Sequence, residues 1–149
     1  MDKTDTFTEN KSSLAVDGVI YGVVAGAAMF ASLMVLAILT GDTPGVILAR
    51  FSSGGITSPV LGLVGHLGVS AIYGALFGVF AWPLLSRFST NKISAVFGGI
   101  LYAGFLILFA QIALLPGTNS SLSQFPFWQW VLGHVIYGLV LGSMFSRTA

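Results

Sequence analysis

The stretch that decides the fold lies near the C-terminus and reads Gly133-His134-Val135-Ile136-Tyr137-Gly138-Leu139-Val140-Leu141-Gly142-Ser143-Met144-Phe145. Its kernel, Tyr-Gly-x-x-x-Gly, occurs three times, at Tyr21-Gly22 to Gly26, Tyr73-Gly74 to Gly78 and Tyr137-Gly138 to Gly142. Glycines four positions apart lie on one face of a helix, where the backbone of a second helix can approach closely. The repeated kernel therefore predicts a bundle of membrane helices that pack through glycine faces.

The composition is that of a membrane protein. Of 149 residues, 55% are hydrophobic and 7% are charged, whereas a soluble domain carries about 25% charged residues. Insertion into a bilayer is the direct interpretation. The net charge of +1 gives no indication of a nucleic-acid partner. Because there is no cysteine, disulfides, thiolate metal sites and cysteine nucleophiles are excluded.

Four apolar runs are long enough to cross a hydrocarbon core about 30 Å thick. The first is expected to begin at Asp17, whose carboxylate would cap the helix after a cytoplasmic tail of residues 1–16. The predicted fold class is all-α: a polytopic membrane protein with a four-transmembrane-helix bundle in residues 17–149. The predicted spans cover about residues 17–40, 59–85, 93–115 and 127–146.

The connection between the first two spans contains a short apolar run from Val46 to Phe51 that ends near Arg50. This run is either one or two helical turns at the membrane interface or an ordinary loop with some buried side chains. Pro83, close to the end of the second span, is expected to mark the end of that helix.

The distribution of basic residues predicts the orientation. With four spans, the N-terminus, the 86–92 connection and the C-terminus share one side, which carries Lys3, Lys11, Arg87, Lys92 and Arg147. The opposite side carries only Arg50. The positive-inside rule then places both termini in the cytoplasm, in a multi-pass protein of the cell inner membrane.

The second and fourth spans each carry a histidine ahead of the kernel. His66 precedes Tyr73 by seven residues and His134 precedes Tyr137 by three, so the two offsets differ by four, about one helical turn. Both imidazoles therefore lie on the face of their kernel. The chain reads as two tandem hairpins, which is either a true duplication or a packing device that arises easily, since the first span carries the kernel in the opposite direction.

Both histidines lie about seven residues into their spans, roughly 10 Å below the non-cytoplasmic surface, and Gln111 lies at a comparable depth. Ionisable groups within a membrane suggest a functional site. Two interpretations remain open. The histidines join helices through hydrogen bonds to Tyr73, Tyr137 or Gln111, or they bind a haem b or a chlorophyll-type pigment. Two histidines are too few for a structural zinc site, and no metal site is predicted.

Two further groups of residues are predicted to lie inside the bundle. The helix-packing glycines are Gly22, Gly26, Gly74, Gly78, Gly138 and Gly142. The polar interior positions are Tyr21, Tyr73, Tyr137 and Gln111. No catalytic residues are predicted, because the spans contain no deep carboxylate and the chain contains no Ser-His-Asp or His-Glu-x-x-His arrangement. We therefore expect that the protein is not an enzyme.

The His…Tyr-Gly-x-x-x-Gly pattern at residues 66–78 and 134–142 resembles that of small four-span prokaryotic membrane proteins of unknown function. The similarity covers most of the hydrophobic chain and implies no activity.

The small size and tight glycine packing favour an accessory or structural subunit of a larger membrane complex, for example a respiratory or photosynthetic one. The alternatives are a cofactor-binding protein that uses His66 and His134, and a small transporter or channel. The expected partners are the lipid bilayer and other membrane subunits or further copies of the chain, with no nucleic acid.

Overall fold

The computed structural model describes residues 3–52, 58–88, 91–116 and 121–147, and the side chains from residue 11 onward with the exception of Ser121. All regular structure in these ranges is helical. The elements are α1 (Lys3–Thr40), α2 (Pro44–Arg50), α3 (Pro59–Leu76), a π-helical turn (Phe77–Ala81), α4 (Trp82–Leu85), α5 (Lys92–Phe109), a second π-helical turn (Ala110–Leu114), a 3-10 turn (Ser121–Gln124) and α6 (Phe127–Phe145). Residues 1–2 and 148–149 of the predicted tail and bundle lie outside the described residues.

Three of the described helical segments are long and apolar enough to cross a membrane: Lys11–Thr40, Pro59–Leu85 and Lys92–Leu114. The 19-residue α6 is not one of them. Its polar Gln129 and His134 and its two tryptophans lower its mean hydropathy relative to the other three.

The first helix begins earlier than the sequence suggested. Asp17 was expected to be its N-cap, but α1 starts at Lys3 and Asp17 lies within it. No glycine or proline precedes Asp17, and a helix that has already formed extends at little cost through residues without a breaker. Most of the predicted tail is therefore a continuation of α1.

The other helix ends follow local sequence signals. After Thr40, Gly41 adopts a φ of 87°, and the amides of Gly41 and Asp42 donate to the carbonyls of Ile38 and Ala37, which closes the C-terminus of α1. Ser58 caps α3 ahead of Pro59, and the Asn91 side chain accepts from the Ser94 amide at 2.7 Å to cap α5. The run at Val46 is helical, within α2.

One π-helical turn follows α3 and the other follows α5. The first precedes Pro83, which lacks an amide hydrogen and whose ring crowds the preceding turn. The wider turn at Phe77–Ala81 lets the helix continue to Leu85 instead of ending at the proline. The second turn, Ala110–Leu114, rotates the end of α5 relative to an uninterrupted α-helix.

Glycine faces hold the antiparallel pair α1 and α3 together. A Cβ atom at Gly22 would lie 2.9 Å from the Gly74 Cα, and one at Gly18 would lie 2.8 Å from the Ala75 Cα. Gly26 lies against the side chain of Ser70. A residue larger than glycine would force these backbones apart.

The pair α5 and α6 repeats this arrangement. A Cβ atom at Gly99 would lie 2.9 Å from the Gly142 amide nitrogen, and one at Gly138 would lie 2.8 Å from the Gly99 carbonyl carbon. Gly142 lies against the backbone of Ala95. Each hairpin is therefore closed by a glycine face of its second helix.

The two hairpins meet along α1 and α6. Near one end, Phe145 packs against the rings of Tyr21, Phe77 and Trp82, with centroids 5.1, 5.2 and 5.5 Å away. Toward the other end, Gly133 lies against Met29. Because α6 follows α1 over this distance, it lies inside the bundle at the same level as the other three long helices.

Candidate functional site

A cavity of about 210 Å³ lies inside the bundle, in the half that faces the loop between α1 and α3. Its polar residues are His66, Ser70 and Tyr73 from α3 and His134 and Tyr137 from α6. The remaining lining is apolar or aromatic: Met29, Phe51, Gly65, Val69, Leu106, Ala110, Leu114, Leu115, Leu122 and Trp130. The cavity thus contains both histidines and two of the three kernel tyrosines.

His66 is fixed by the glycine face of the first hairpin. Its side chain is 8% exposed, and its Nε2 atom lies 3.0 Å from the Gly26 carbonyl oxygen of α1. Since a carbonyl oxygen can only accept, Nε2 carries the hydrogen and donates it. The ring packs against that of Phe51, whose centroid is 4.6 Å away. A side chain at position 26 would clash with Ser70 and hold α1 and α3 too far apart for this bond.

His134 is fixed by its own helix. It is 8% exposed, and its Nδ1 atom donates to the Trp130 carbonyl oxygen one turn earlier, at 2.9 Å. The imidazole stacks on the Trp130 indole with centroids 5.3 Å apart and an interplanar angle of 15°. Because a cation without a counter-charge is disfavoured in an apolar interior and no Asp or Glu of the described residues lines the cavity, we assign both buried imidazoles as neutral rings, each with the tautomer that its hydrogen bond requires.

Each imidazole keeps one nitrogen with a free lone pair, Nδ1 of His66 and Nε2 of His134. Among the described residues, the Arg50 Nε atom is the sole buried side-chain nitrogen or oxygen without a hydrogen-bond partner. The two lone-pair nitrogens are thus not sealed into the core, although both rings are buried, and both residues line the cavity. A nitrogen oriented by a hydrogen bond from the opposite ring atom to a carbonyl is the arrangement found in ligand-binding histidines.

The hydroxyl groups around the cavity donate to backbone carbonyls. Tyr137 of α6 donates to the Ser70 carbonyl oxygen at 2.9 Å and so joins α6 to α3. The Ser70 hydroxyl donates to the His66 carbonyl oxygen at 2.8 Å. Outside the cavity, Tyr102 of α5 donates to the Tyr73 carbonyl oxygen at 2.8 Å. Tyr73 is the one cavity hydroxyl without such a bond within the described residues.

The exposed residues of the lining and the loose contact between α3 and α5 place the opening of the cavity on the flank of the bundle, between these two helices. In the described part of the chain, the closely packed long-helix pairs are α1–α3, α1–α6 and α5–α6, and α3 with α5 is not one of them. Val69 of α3 and Leu114 after α5 line the cavity and are 47% and 43% exposed. We call this opening, with Val69 and Leu114 on its two rims, the mouth.

A roof covers the end of the cavity near the loop between α1 and α3. It consists of α2 with Phe51 and of the segment from Leu122 to Trp130. Ile47 of α2 and Phe125 of this segment are buried, and they belong to one hydrophobic cluster. Arg50 ties the roof together, since its guanidinium lies 3.0 Å from an Asp42 carboxylate oxygen and 5.2 Å from the centroid of the Phe125 ring.

Two of the predicted interior residues do not line the cavity. Gln111, which follows the lining residue Ala110, is half-buried and is not itself among the lining residues. It lies in the second π-helical turn, whose altered register brings Ala110 and Leu114 to the cavity instead. Tyr21 is half-buried near the opposite end of the bundle, against Phe145. All six predicted packing glycines are buried.

Sequence reasoning missed Ser70, Phe51 and Gln129. Ser70 lies four residues after His66 and carries the carbonyl that Tyr137 binds. The i, i+4 spacing on the kernel face could have identified it. Gln129 is a buried amide on α6. It could have been recognised as the only amide side chain in the apolar run of the fourth span.

The site can hold a small group but suits a flat macrocycle poorly. Its volume of about 210 Å³ is below the roughly 300–1,000 Å³ of pockets for drug-sized ligands. His66 presents Nδ1, which adjoins the ring carbon that carries Cβ, so a macrocycle bound there would meet the residue's own side chain. Among the described residues, no three His, Cys, Asp or Glu side chains are grouped to hold a metal ion.

Comparison with known proteins places the chain in a family without assigning an activity. No curated protein and no solved structure matches it. A family of unknown function, DUF6789, matches residues 13–149. Since that match covers nearly the whole helical bundle, the chain belongs to the DUF6789 family of unknown function.

Proposed function

We propose that this protein binds a small lipophilic molecule inside the membrane, in the cavity that His66 and His134 line. One observation carries the proposal: both histidines of the chain line the same cavity, and within the described residues each uses only one of its two ring nitrogens in a hydrogen bond. The other two ring nitrogens have no hydrogen-bond partner within the described residues, and a polar atom without a partner is costly in apolar surroundings. A bound ligand would satisfy them.

The proposal includes a four-span topology with both termini in the cytoplasm. Three segments qualify as spans by composition, and the course of α6 beside α1 supports a fourth. The lower hydropathy of α6 has a local explanation, because Gln129, His134 and Tyr137 are buried inside the bundle and not directed at lipid. In this topology the mouth faces the hydrocarbon core, so a ligand would enter from the bilayer.

A substitution at the mouth tests the proposal. Val69→Trp would place an indole at the rim and should exclude the ligand without touching the histidines. Val64 is a matched control, because it lies on the same helix and is similarly exposed but does not line the cavity. Each variant is purified from its own membranes in mild detergent, and the small molecules that copurify are identified by mass spectrometry.

The expected result is a lipophilic molecule that is enriched with the wild type and with Val64→Trp. With Val69→Trp it should be depleted at least roughly tenfold, as expected if the dissociation constant rises by tenfold or more, or about 1.4 kcal/mol. Equal recovery from both variants, or no enrichment with the wild type, would contradict ligand binding in this cavity. Size-exclusion profiles of the two variants show whether both remain folded.

The role as a subunit of a larger membrane complex is a separate proposal, suggested by the size of the chain. The glycine faces centred on Gly22, Gly74, Gly99 and Gly138 are used for contacts within the chain, so a partner would have to bind other surfaces. The mass of the native detergent-extracted particle distinguishes the cases, since a particle containing only copies of this chain would argue against an accessory role.

A further inference from the structure

We infer that the ligand is a hydrogen-bond donor: a neutral, lipid-soluble hydroquinone or a closely similar ring with two hydroxyl groups. This inference rests on the proposed function and specifies its ligand. It follows from the direction of the polar hydrogens around the cavity, from its lack of charge, and from its size and aromatic walls.

Most polar side-chain hydrogens of the lining residues are already donated to backbone carbonyls. His66 donates to Gly26, His134 to Trp130, and Tyr137 to Ser70, in each case to a backbone carbonyl oxygen. The Ser70 hydroxyl also donates to a carbonyl. What these groups leave toward the cavity is acceptor capacity, in the form of two imidazole lone pairs and those of the Tyr137 oxygen.

A ligand that offers only acceptors would meet this acceptor-rich surface without partners. An oxidised quinone has two carbonyl oxygens and no hydroxyl, and among the described cavity residues only the Tyr73 hydroxyl is free to donate to it. A hydroquinone has two hydroxyl hydrogens, which equals the number of imidazoles in the cavity lining that keep an unused nitrogen. Leaving a buried acceptor unpaired is costly, so the site should discriminate between the two redox forms of the same molecule.

The ligand should also be uncharged. No Asp or Glu lines the cavity, and a cation without a counter-charge in an apolar site is strongly disfavoured. A phenolic ring retains its hydroxyl hydrogens at neutral pH, so it can donate without carrying charge.

Volume and wall chemistry fit one substituted ring. An apolar cavity of about 150 Å³ takes up a benzene molecule, and this cavity measures about 210 Å³. The aromatic side chains of Phe51 and Trp130 lie beside the two imidazoles, where a flat ring can pack against them. A hydrocarbon tail on the ring would leave through the mouth between Val69 and Leu114.

Three probes that share one ring and one decyl tail test the inference. They are the hydroquinone, its dimethyl ether, which lacks donors, and the oxidised quinone. Binding of each radiolabelled probe is measured at equilibrium to protein in lipid nanodiscs that contain no quinone, under anaerobic reducing conditions for the hydroquinone and without reductant for the other two. Nanodiscs without protein correct for partitioning into lipid.

We expect the hydroquinone to bind at least roughly tenfold more tightly than either other probe, because it gains two hydrogen bonds that each contribute roughly three- to tenfold. His134→Leu should remove roughly three- to tenfold of that preference. His66→Leu should do the same, but it also breaks the bond to Gly26 and can weaken folding. Tyr102→Phe is the matched control, since it removes a buried hydrogen bond outside the cavity and should leave the preference unchanged.

The outcomes separate this inference from the proposed function. Equal binding of all three probes, with loss in Val69→Trp, would overturn the requirement for a donor while leaving a ligand cavity in place. Tighter binding of the quinone would show that the site donates and would also overturn the inference. If no probe binds but another lipophilic molecule copurifies with the wild type and is depleted with Val69→Trp, the inference fails and the proposed function stands. If neither assay detects a ligand, both fail.

Discussion

At the residue scale, two tyrosines on different helices make the same kind of bond to α3. Tyr137 and Tyr102 each donate a hydroxyl hydrogen to a carbonyl oxygen of that helix, at 2.9 and 2.8 Å. These carbonyls already accept from their own helix, so the tyrosines use the second lone pair. The two bonds connect α3 to α6 and α5 in a molecule whose α3 and α5 are otherwise loosely joined.

Replacement of either tyrosine by phenylalanine should lower stability by a small, measurable amount. We expect Tyr137→Phe and Tyr102→Phe each to reduce the free energy of unfolding by about 0.6 kcal/mol, the average for hydrogen bonds between membrane helices. Reversible unfolding in mixed micelles measures the change. Tyr21→Phe is the matched control, because its ring packs against Phe145 and its hydroxyl makes no hydrogen bond within the described residues. Equal effects at all three positions would contradict the assignment.

The histidines show at this scale what a sequence can and cannot predict. The one-turn difference in their offsets placed both on a kernel face, and the structure brings both to one cavity. The tautomer of His66 could not be predicted, because its partner belongs to another helix and is reached only through the glycine at position 26, whereas the partner of His134 lies one turn earlier on its own helix. The donor and acceptor pattern of the site is thus in part a property of tertiary packing.

At the element scale, the two hairpins are each closed by close backbone contact. We expect Gly138→Leu to disrupt the bundle, because a Cβ atom there would lie 2.8 Å from the Gly99 carbonyl carbon and 2.9 Å from the Ala103 Cβ. Overpacking a tight interior typically costs about 1–3 kcal/mol, and here the clash is with backbone that cannot rotate away. The predicted readout is loss of the monodisperse peak in size-exclusion chromatography.

Gly104→Leu is the control for this substitution. Gly104 is also a helical glycine, on α5, but a Cβ atom there meets nothing within 4 Å. The same leucine should therefore be tolerated, with an unchanged elution profile. If Gly138→Leu behaved like Gly104→Leu, the glycine face of α6 would not be a packing surface.

Element boundaries were predictable where a local signal exists. Pro59 and Gly41 mark helix ends by their backbone conformation and Asn91 by its side-chain oxygen, and the apolar runs between such signals indicated the long helices. The start of α1 was not predictable, because Asp17 can act as a cap or as an ordinary helical residue, and only the continuity of the helix before it decides. The altered helical register around Gln111 could not be predicted, because the π-helical turn that contains it has no helix-breaking residue.

At the scale of the whole molecule, the number of spans decides where the C-terminus lies. The chain contains no cysteine, so single substitutions at exposed positions report topology directly. We expect Thr43→Cys to react with a membrane-impermeant maleimide in intact cells. We expect Lys92→Cys and Arg147→Cys to react only after permeabilisation.

The position of Arg147 is the informative one. With four spans it shares a side with Lys92, whereas with three spans it would lie beside Thr43 and react in intact cells. Labelling of both Arg147→Cys and Thr43→Cys in intact cells would therefore show that α6 does not cross the membrane and would contradict the four-span proposal. The cysteine-free parent protein shows the background reaction.

The roof over the cavity has a consequence for how binding constants should be read. Arg50 and Asp42 form an ion pair at the roof, and the mouth is on the flank. Under the proposed function, the ligand would therefore equilibrate with the bilayer and not directly with water. Its apparent dissociation constant, expressed in bulk-water units, is then the intrinsic constant divided by the partition coefficient. Ligands of the same series with longer hydrocarbon tails would show a lower apparent dissociation constant without any new contact in the cavity. Occupancy of the site in the cell would depend on the ligand's mole fraction in lipid.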